Sequence, residues 1–331
     1  MTSPLPRFQP ENDGQDRHPP RCPACGHGAP ETALACAEPG FEVLRCPDCG
    51  LGRTWPPAAP DEIASWYPER YYGKGNVRFN ALFERLIRLF RRRRAAVLHN
   101  RVPRGPVLDI GCGRGFLLSF LQELGYEPHG VEFSDVAARH ARETLKLPIA
   151  VEDFASSPTE HGRYNAVIFW HSLEHFSNPV AAIARASEAL KPGGVLAVAV
   201  PNYGSLQARL FGRNWFHLDV PRHYFHFTER ALEAVLARHR LRIVQLDYFS
   251  FEQNPYGTLQ SFYNALGFRF NLLYSLLKDP SARADELARY PFQVAAIVLL
   301  LPPLLLLSLA LAPLEALLRS GGTIELYAFK E

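Results

Sequence analysis

Short apolar runs alternate with longer amphipathic segments through the middle of the chain. The run from Pro106 to Ile110 is short and bounded by glycines, which is typical of a parallel strand buried on both faces. Apolar residues then follow helical spacing from Phe116 as far as Gly125, a candidate helix C-cap. A strand that leads into a helix through a glycine turn predicts a doubly wound α/β sheet with a nucleotide site at the turn.

The same alternation predicts six more strands of this sheet. They are predicted at residues 127–132, 149–151, 164–170, 195–200 and 242–249, with a turn and a last strand at 321–330. Helices are predicted at residues 134–146, 178–190 and 228–239, where capping residues precede apolar positions. Strands that alternate with helices in this way predict helices on both faces of one sheet.

An amphipathic helix is predicted from Phe79 to Leu98, ahead of the first of these strands. One face is apolar, and the other carries six arginines, namely Arg85, Arg88 and Arg91 to Arg94. Two interpretations stay open. The helix covers a sheet edge with its basic face in solvent, or the basic face rests on anionic lipid.

A long apolar segment lies near the end of the chain. Residues 291–314 contain no charged residue and are long enough for a transmembrane helix. However, Pro302 and Pro303 interrupt the segment, and a single crossing would separate the last strand from its sheet. We therefore predict a re-entrant or interfacial helical hairpin with the prolines at its tip and residues 257–277 beside it, on the cytoplasmic face of a membrane. The alternative, a buried hairpin or a dimer interface, would leave the protein in the cytoplasm.

Four of the six cysteines stand in two Cys-Pro-x-Cys-Gly knuckles, at Cys22, Cys25, Cys46 and Cys49. Paired thiols at this spacing predict a two-knuckle zinc ribbon. Four thiolates make a closed tetrahedral site, so the predicted Zn²⁺ is structural. A redox dithiol is the alternative, and Cys36 or His27 could replace a ligand in a poorer site.

Composition and charge limit the possible partners of the protein and indicate how its chain is organised. The 331 residues are 47% hydrophobic and carry a net charge of +3, too close to neutral to indicate a nucleic-acid partner. Residues 1–20 are polar and proline-rich, which predicts a disordered tail and argues against secretion. The predicted organisation continues with a zinc ribbon at 21–56, a linker and basic helix at 57–104, and an α/β domain at 105–331 that carries the apolar insertion at about 255–320.

The glycine turn has the pattern G-x-G-x-G at Gly111, Gly113 and Gly115, with Asp109 two residues ahead of it. A dinucleotide fingerprint needs a glycine where Phe116 stands, which argues against a nicotinamide site. The pattern resembles motif I of the class I S-adenosylmethionine (SAM) dependent methyltransferases. This resemblance implies their Rossmann-like seven-stranded sheet with helices on both faces, and it makes residues 321–330 the seventh strand.

The resemblance also implies which residues bind SAM. Glu132 ends the second strand about twenty residues after the glycines, where an acidic residue accepts hydrogen bonds from both ribose hydroxyls. Asp153 is expected to face the adenine amino group and Phe154 its ring, with Glu152 as a rival to Asp153. The full predicted set is Asp109, Gly111, Cys112, Gly113, Gly115, Glu132, Asp153, Phe154 and Trp170.

Two segments are candidates for the acceptor side of the site. Residues 171–175, at the end of the fourth strand, resemble the x-x-L-E-H stretch of one methyltransferase branch. The loop at 201–227 is dense in aromatic residues and histidines, which indicates an acceptor pocket or a packed cap. The candidates for a general base, or for orienting one, are His175, His171, Glu174, His223 and Tyr224. A metal site at His217, His223 and His226 is disfavoured, because no carboxylate–histidine spacing supports it.

These features predict methyl transfer from SAM to an acceptor that the sequence does not identify. The zinc ribbon resembles that of methyltransferases acting on nucleotide-linked sugars in the cytosol. The apolar segment instead indicates a lipid-linked or glycan-type acceptor, or a quinone-type ring, at the membrane surface. A nicotinamide-dependent oxidoreductase and a non-catalytic membrane-bound scaffold are the alternatives, and the oligomeric state stays open.

Overall fold

The structure, a computed structural model, describes residues 21–28, 31–57, 81–158, 160–278 and 280–331. The predicted tail at 1–20 and residues 58–80 of the predicted linker lie outside the described residues. The described residues form eleven strands. They are β1 (Glu31–Ala35), β2 (Glu42–Arg45), β3 (Gly52–Trp55), β4 (Pro106–Ile110), β5 (Glu127–Glu132), β6 (Ile149–Val151), β7 (Tyr164–Trp170), β8 (Leu190–Pro201), β9 (Phe225–His226), β10 (Leu241–Asp247) and β11 (Thr323–Lys330).

Seven of the described strands form one sheet in the order β10-β11-β8-β7-β4-β5-β6. The strands from β8 to β6 are parallel, whereas β11 is antiparallel to both β8 and β10. Strand β8 begins at Leu190, earlier than predicted, because Leu190 pairs with Tyr164 ahead of an irregularity in the register. The predicted Rossmann-like seven-stranded sheet is confirmed, including the pairing of the last strand with the sixth.

Helices cover both faces of this sheet. The α-helices of the described residues are α1 (Ala81–His99), α2 (Phe116–Glu123), α3 (Asp135–Arg139), α4 (Pro179–Ala189), α5 (Leu206–Phe211), α6 (Glu229–Arg238), α7 (Asn254–Ala265), α8 (Leu272–Lys278), α9 (Pro280–Arg289) and α10 (Pro291–Leu317). Ser134 caps α3 by accepting a hydrogen bond from the amide of Ala137 (3.4 Å). Helix α3 is shorter than predicted, since the chain continues as a π-helix from His140 to Thr144.

The core divides into two layers because successive side chains of a strand point to opposite faces. In β7, Val167 and Phe169 pack with the residues of α4 and α6. Ala166 and Ile168 pack on the other face with the residues of α1, α2 and α3. Burial on both faces explains why β7 reads as a continuous apolar run rather than an alternating one.

The N-terminal strands join the main domain through a second sheet, with the order β1-β2-β3-β9. Strand β9 lies in the predicted acceptor loop, and its His226 pairs with Gly52 of β3. The hydroxyl of Thr54 donates a hydrogen bond of 2.6 Å to the carbonyl of His223 and lies 3.0 Å from Nε2 of His226. The cysteine-bearing segment is therefore attached directly to the loop that carries these histidines.

The arginines of α1 divide between two environments. Arg91 and Arg94 turn toward the protein, where both donate hydrogen bonds to the carboxylate of Glu252 (3.0 and 2.6 Å). Arg94 is buried. The remaining arginines are exposed, namely Arg85, Arg88, Arg92 and Arg93. The basic face is therefore neither wholly in solvent nor wholly available to lipid, because two of its charges pair with a carboxylate inside the protein.

Helix α10 is continuous for 27 residues, which corrects the predicted hairpin with its tip at Pro302 and Pro303. A proline pair removes two backbone N–H donors and interrupts the hydrogen-bond ladder, but it does not reverse a chain without turn-forming residues beside it. Leucines flank this pair on both sides, and leucine favours continuation of a helix. The prolines therefore lie inside the helix.

The chain reverses between α7 and α10 instead. The hydroxyl of Tyr263, near the end of α7, donates to the carbonyl of Ile297, near the start of α10 (2.9 Å). At the opposite end, the side-chain amide of Gln207 donates to the carbonyl of Asn254 (3.1 Å) and to the carboxylate of Glu315 (2.8 Å). The two helices are therefore antiparallel neighbours, although α8 and α9 lie between them in the chain.

Most of the surface of α10 is exposed. The residues of this fully described helix that are buried are Ile297, Ser308, Ala312 and Glu315. Large apolar side chains on the rest of its circumference are exposed, among them Phe292 (89%), Leu299 (77%) and Leu306 (69%). Among the described residues, α10 is the one helix that is long and apolar enough to cross a membrane.

Candidate active site

The glycine turn after β4 presents bare main chain at the carboxyl edge of the sheet. Gly111, at φ +76°, has no room for a side chain, since a Cβ there would lie 2.5 Å from the Cβ of Ser172. Gly113 differs, because a Cβ on it would meet nothing within 4 Å. Its φ of +55° is nevertheless a conformation that favours glycine. The turn therefore leaves open space over Gly113, into which a ligand can approach the backbone.

Glu132, at the end of β5, is fixed to this turn. One carboxylate oxygen accepts a hydrogen bond from the amide of Gly113 (2.8 Å), and the other accepts one from the amide of Ser134 (3.0 Å). Burial raises the pKa of Glu132, while these backbone donors oppose the shift. The predicted ribose-binding carboxylate therefore lies beside the glycine turn, at the switch point where doubly wound sheets bind nucleotides.

Asp109 and Cys112 lie beneath the turn. Asp109 is buried within β4, and burial raises its pKa to about 7 against the opposing charges of Arg94 and Arg91. Cys112 packs toward β5, where its Sγ lies 2.8 Å from the position that a Cβ on Gly130 would take. The absence of a side chain at Gly130 is therefore what accommodates the thiol.

Trp170, Asp153 and Phe154 lie farther along the same edge. The guanidinium of Arg94 lies 4.3 Å from the centre of the Trp170 ring. Asp153 is exposed and accepts hydrogen bonds from the amide of Ala155 (3.0 Å) and the hydroxyl of Ser156 (2.8 Å). Phe154 is buried in the core, edge-on to another phenylalanine ring. The roles predicted for these three residues in binding adenosine stay predictions.

The predicted acceptor residues meet where the segment after β7 touches the loop ahead of β9. His171 Nδ1 lies 3.6 Å from a carboxylate oxygen of Glu174. The rings of His175 and His223 are 4.7 Å apart, centre to centre, at 71°. The amide of Tyr224 donates to the carbonyl of Glu174 (2.9 Å), which ties the two segments together. The structure therefore brings all five predicted acceptor-side residues into one cluster.

Electrostatics distinguish the members of this cluster. Burial, with a contribution from Arg94, lowers the pKa of His171 to about 3, so this imidazole is neutral at pH 7. Burial raises the pKa of Glu174 to about 7, while the neighbouring His175 opposes the shift. A neutral imidazole can accept a hydrogen bond from an acceptor hydroxyl, but one with so low a pKa holds a proton too weakly to be an effective general base at pH 7.

His217, His223 and His226, at which a metal site was disfavoured, direct their ring nitrogens to different partners. Nε2 of His217 lies 3.3 Å from the carbonyl of Gln253, and Nε2 of His226 contacts Thr54. His223 instead bonds through Nδ1 to the carbonyl of His217 (3.0 Å). The three imidazoles therefore serve different neighbours.

A cavity of about 220 Å³ lies between α1 and the strand ends. Its lining includes Arg94, Arg101, Trp170, Phe249, Glu252 and Glu325. Burial raises the pKa of Glu325 to about 7, against the opposing charge of Arg94. The sequence did not single out Glu252 or Glu325, and the run of arginines in α1 was the one signal that pointed to this region.

The four knuckle cysteines converge as predicted. The Sγ atoms of Cys22 and Cys49 are 3.5 Å apart, and those of Cys25 and Cys46 are 3.6 Å apart. All four ligand atoms lie within 4.8 Å of one another, and the four thiols are free. In each knuckle the glycine amide donates back to the carbonyl of the first cysteine. Four sulfur donors around one centre fit a structural zinc ion.

The described sheet, with its antiparallel last strand and a crevice at the switch point, is the architecture of a class I methyltransferase. Residues 80–246, about half of the chain, match the family described as methyltransferase domain. The chain therefore belongs to this methyltransferase family.

Individual relatives are similar over shorter segments. A ubiquinone biosynthesis O-methyltransferase of Shewanella halifaxensis is 37% identical over 94 residues, which cover 27% of this chain and 40% of that protein. An enzyme of the same name from Xanthomonas oryzae is 29% identical over 141 residues, 40% of this chain and 58% of that protein. The match thus spans about half the length of these curated relatives.

Solved structures with a similar fold include a SAM-dependent methyltransferase from Archaeoglobus fulgidus. It is 17% identical, with a TM-score of 0.46, over 72% of this chain and 94% of that one.

Proposed function

We propose that the chain transfers the methyl group of SAM to a lipid-borne acceptor, of lipid-linked glycan or quinone type, at a membrane surface. The observation that best supports SAM binding is the hydrogen bond between the amide of Gly113 and the carboxylate of Glu132. Open space above bare main chain, with a carboxylate fixed beside it, fits an adenosyl group that needs close approach to the backbone and an acceptor for its ribose hydroxyls.

SAM, when bound, supplies a methyl group on a sulfonium, which needs a nucleophile in line with it. The chain's contribution is then chiefly to bind and orient the two reactants. Asp109, Gly113 and Glu132 hold the cofactor side. His171 stands on the acceptor side, at the neighbouring strand end, where its neutral imidazole can accept a hydrogen bond from an acceptor hydroxyl and orient it.

Helix α10 supports the choice of a lipid-borne acceptor. Its exposed circumference is apolar almost all round, which is typical of a helix in contact with lipid rather than water. Two relatives bear the name of a ubiquinone biosynthesis O-methyltransferase, and a quinone-type ring with an apolar tail is an acceptor that α10 suits. A soluble nucleotide sugar would not require such a surface.

Methyl transfer is tested by incubating the purified protein and membranes with SAM labelled in its methyl group. We expect label in the lipid extract. Label found instead in the water-soluble fraction would overturn the lipid-borne acceptor, and no transfer to either fraction would overturn the function. The Gly113→Arg variant serves as the inactive control, since its side chain would fill the space over the turn.

Membrane association is tested by flotation with liposomes of anionic and zwitterionic phospholipids. We expect the full chain to float, and Leu299→Gln/Leu306→Gln to float less, because each change exposes a polar group to lipid. The matched control is Leu210→Gln/Val244→Gln, which alters exposed apolar residues outside α10 (62% and 42% exposed). Failure of the wild type to float, or equal flotation of both variants, would contradict the proposal.

The cysteine cluster is proposed to hold one structural Zn²⁺. Because β3 continues into the sheet that carries His226, loss of this ion is expected to loosen the acceptor loop as well as the ribbon. Replacing Cys46 and Cys49 by serine should weaken the thiolate charge-transfer band of the cobalt-substituted protein, because two of the four thiolates are lost. An unchanged band would show that these thiols are not the ligands.

A further inference from the structure

A second group of metal-type ligands lies outside the cysteine cluster. Glu174, His175 and His223 each offer a ligand atom, and these atoms lie within 4.8 Å of one another. Ligand atoms around a tetrahedral zinc are about 3.4 Å apart, given bonds of about 2.1 Å. Small side-chain movements would therefore close the group around one ion.

The two imidazoles are oriented as metal ligands are. Nδ1 of His175 lies 3.0 Å from the carbonyl of Arg222, and Nδ1 of His223 lies 3.0 Å from the carbonyl of His217. A carbonyl can only accept, so each Nδ1 carries a proton, and in the neutral form of either ring the lone pair is then on Nε2. Metal-bound histidines usually donate the proton of the other ring nitrogen to a carboxylate, a backbone carbonyl or a water molecule.

The carboxylate in the group is incompletely satisfied. Glu174 is 1% exposed, and its Oε2 has no hydrogen-bond partner among the described residues. A buried carboxylate without a full set of partners is costly, and a bound cation removes that cost. Asp219 offers a further oxygen, since its Oδ2 lies 3.7 Å from Nε2 of His223 while Arg222 holds its other oxygen.

We propose that Glu174, His175 and His223 bind a divalent transition-metal ion of the zinc type, separate from the ion of the cysteine cluster. Two histidines and one carboxylate are a donor set that leaves coordination positions open. The group lies at the strand end beside the acceptor segment. Its role, which rests on the function proposed above, is to bind an oxygen atom of the acceptor.

Metal content tests the proposal without any measurement of activity. The full chain is loaded with excess ZnCl₂, freed of unbound metal by gel filtration, and analysed for zinc per chain. We expect two zinc ions in the wild type, and one in both His223→Gln and Glu174→Gln. The matched control is His161→Gln, which alters an exposed histidine outside the group and should keep two. One ion in the loaded wild type, or two in both variants, would overturn the proposal.

A titration of the wild type with Co²⁺ tests the same proposal without the variants, and so does not depend on their folding. Titration of metal-stripped wild type should show thiolate charge-transfer bands with the first equivalent of Co²⁺. The second equivalent should add d–d absorption without further charge transfer, since its ligands are nitrogen and oxygen. Saturation after a single equivalent would overturn the proposal. Calorimetry with SAM on the same preparation reports the proposed function separately, because cofactor binding does not depend on these ligands.

Discussion

The backbone amide of Gly113 donates a hydrogen bond of 2.8 Å to the carboxylate of Glu132, and this contact joins the ends of β4 and β5 beside the switch point between β4 and β7. The same carboxylate also accepts from the amide of Ser134, so the side chain is held in one orientation. The position of the proposed ribose-binding group is therefore set before any ligand arrives, which reduces the entropy lost on binding.

Replacing Glu132 by glutamine should weaken SAM binding about 10- to 100-fold, as expected for losing charge-assisted hydrogen bonds of about 1.5–3 kcal/mol. The amide cannot accept equally at both positions where the carboxylate does. Isothermal calorimetry measures the change. Glu127→Gln is the matched control, since Glu127 begins the same strand and is exposed. Equal affinities in both variants would refute the assigned role.

The contact between Thr54 and the histidine loop predicts an effect of the ribbon on catalysis. Thr54→Val keeps the shape of the side chain but removes the donor to the His223 carbonyl. We expect a loss of about 1–3 kcal/mol in the free energy of unfolding, because a buried carbonyl is left without this partner. The turnover number should fall while the SAM affinity stays constant. Thr144→Val, at an exposed position, is the control. An equal fall of the turnover number in that variant would contradict an effect of the ribbon on catalysis.

The pairing of Arg94 with Glu252 predicts strong coupling between two residues 158 positions apart. Removing one partner of a buried ion pair costs about 3–5 kcal/mol, whereas removing both leaves only the partly exposed Arg91 without the carboxylate that it shares with Arg94. Denaturant unfolding should therefore show that Arg94→Leu and Glu252→Leu together destabilise the protein less than the sum of the single changes. Additive effects would indicate that the two side chains do not interact.

Asp109 predicts a pH dependence of stability. Its pKa in the folded state is raised to about 7, chiefly by burial; Arg94 and Arg91 oppose the shift, and Glu132 adds to it. The folded protein therefore binds this proton more tightly than the unfolded chain does. The contribution to stability is full below the unfolded pKa near 4 and falls as the pH rises toward 7, by up to about 1.4 kcal/mol per pH unit.

Asp109→Asn should remove that part of the pH dependence. The neutral amide cannot ionise, so the variant should gain in free energy of unfolding relative to the wild type between pH 5 and pH 7. Denaturant unfolding at several pH values measures the difference. A constant difference across this range would show that Asp109 does not titrate there.

Much of the sheet could be predicted from the sequence, because β4, β7 and the second half of β8 are apolar runs bounded by glycine, proline or polar residues. The path of the apolar segment could not. Pro302 and Pro303 predict a local interruption, and the sequence alone does not say whether the helix resumes in the same direction. The direction of the helix after the prolines depends on the packing of α7 along α10, through contacts such as that of Tyr263 with Ile297.

The candidate site, like the sheet, could be predicted from the sequence only in part. Gly113 and Glu132 belong to a local motif of about twenty residues, so their proximity was predictable. The pairing of Arg94 with Glu252, and that of Thr54 with His226 across 172 positions, arise where distant segments meet at the sheet edge. Neither contact leaves a periodic pattern in the sequence.

Calorimetric titration of the purified chain with SAM tests the central claim most directly. We predict saturable heat at one SAM per chain for the wild type and no detectable heat for Gly113→Arg. The matched control is Gly162→Arg, because Gly162 also has a positive φ (+61°) and open space around its Cβ, but lies outside the site. Heat retained in Gly113→Arg, or no binding by the folded wild type, would contradict the account.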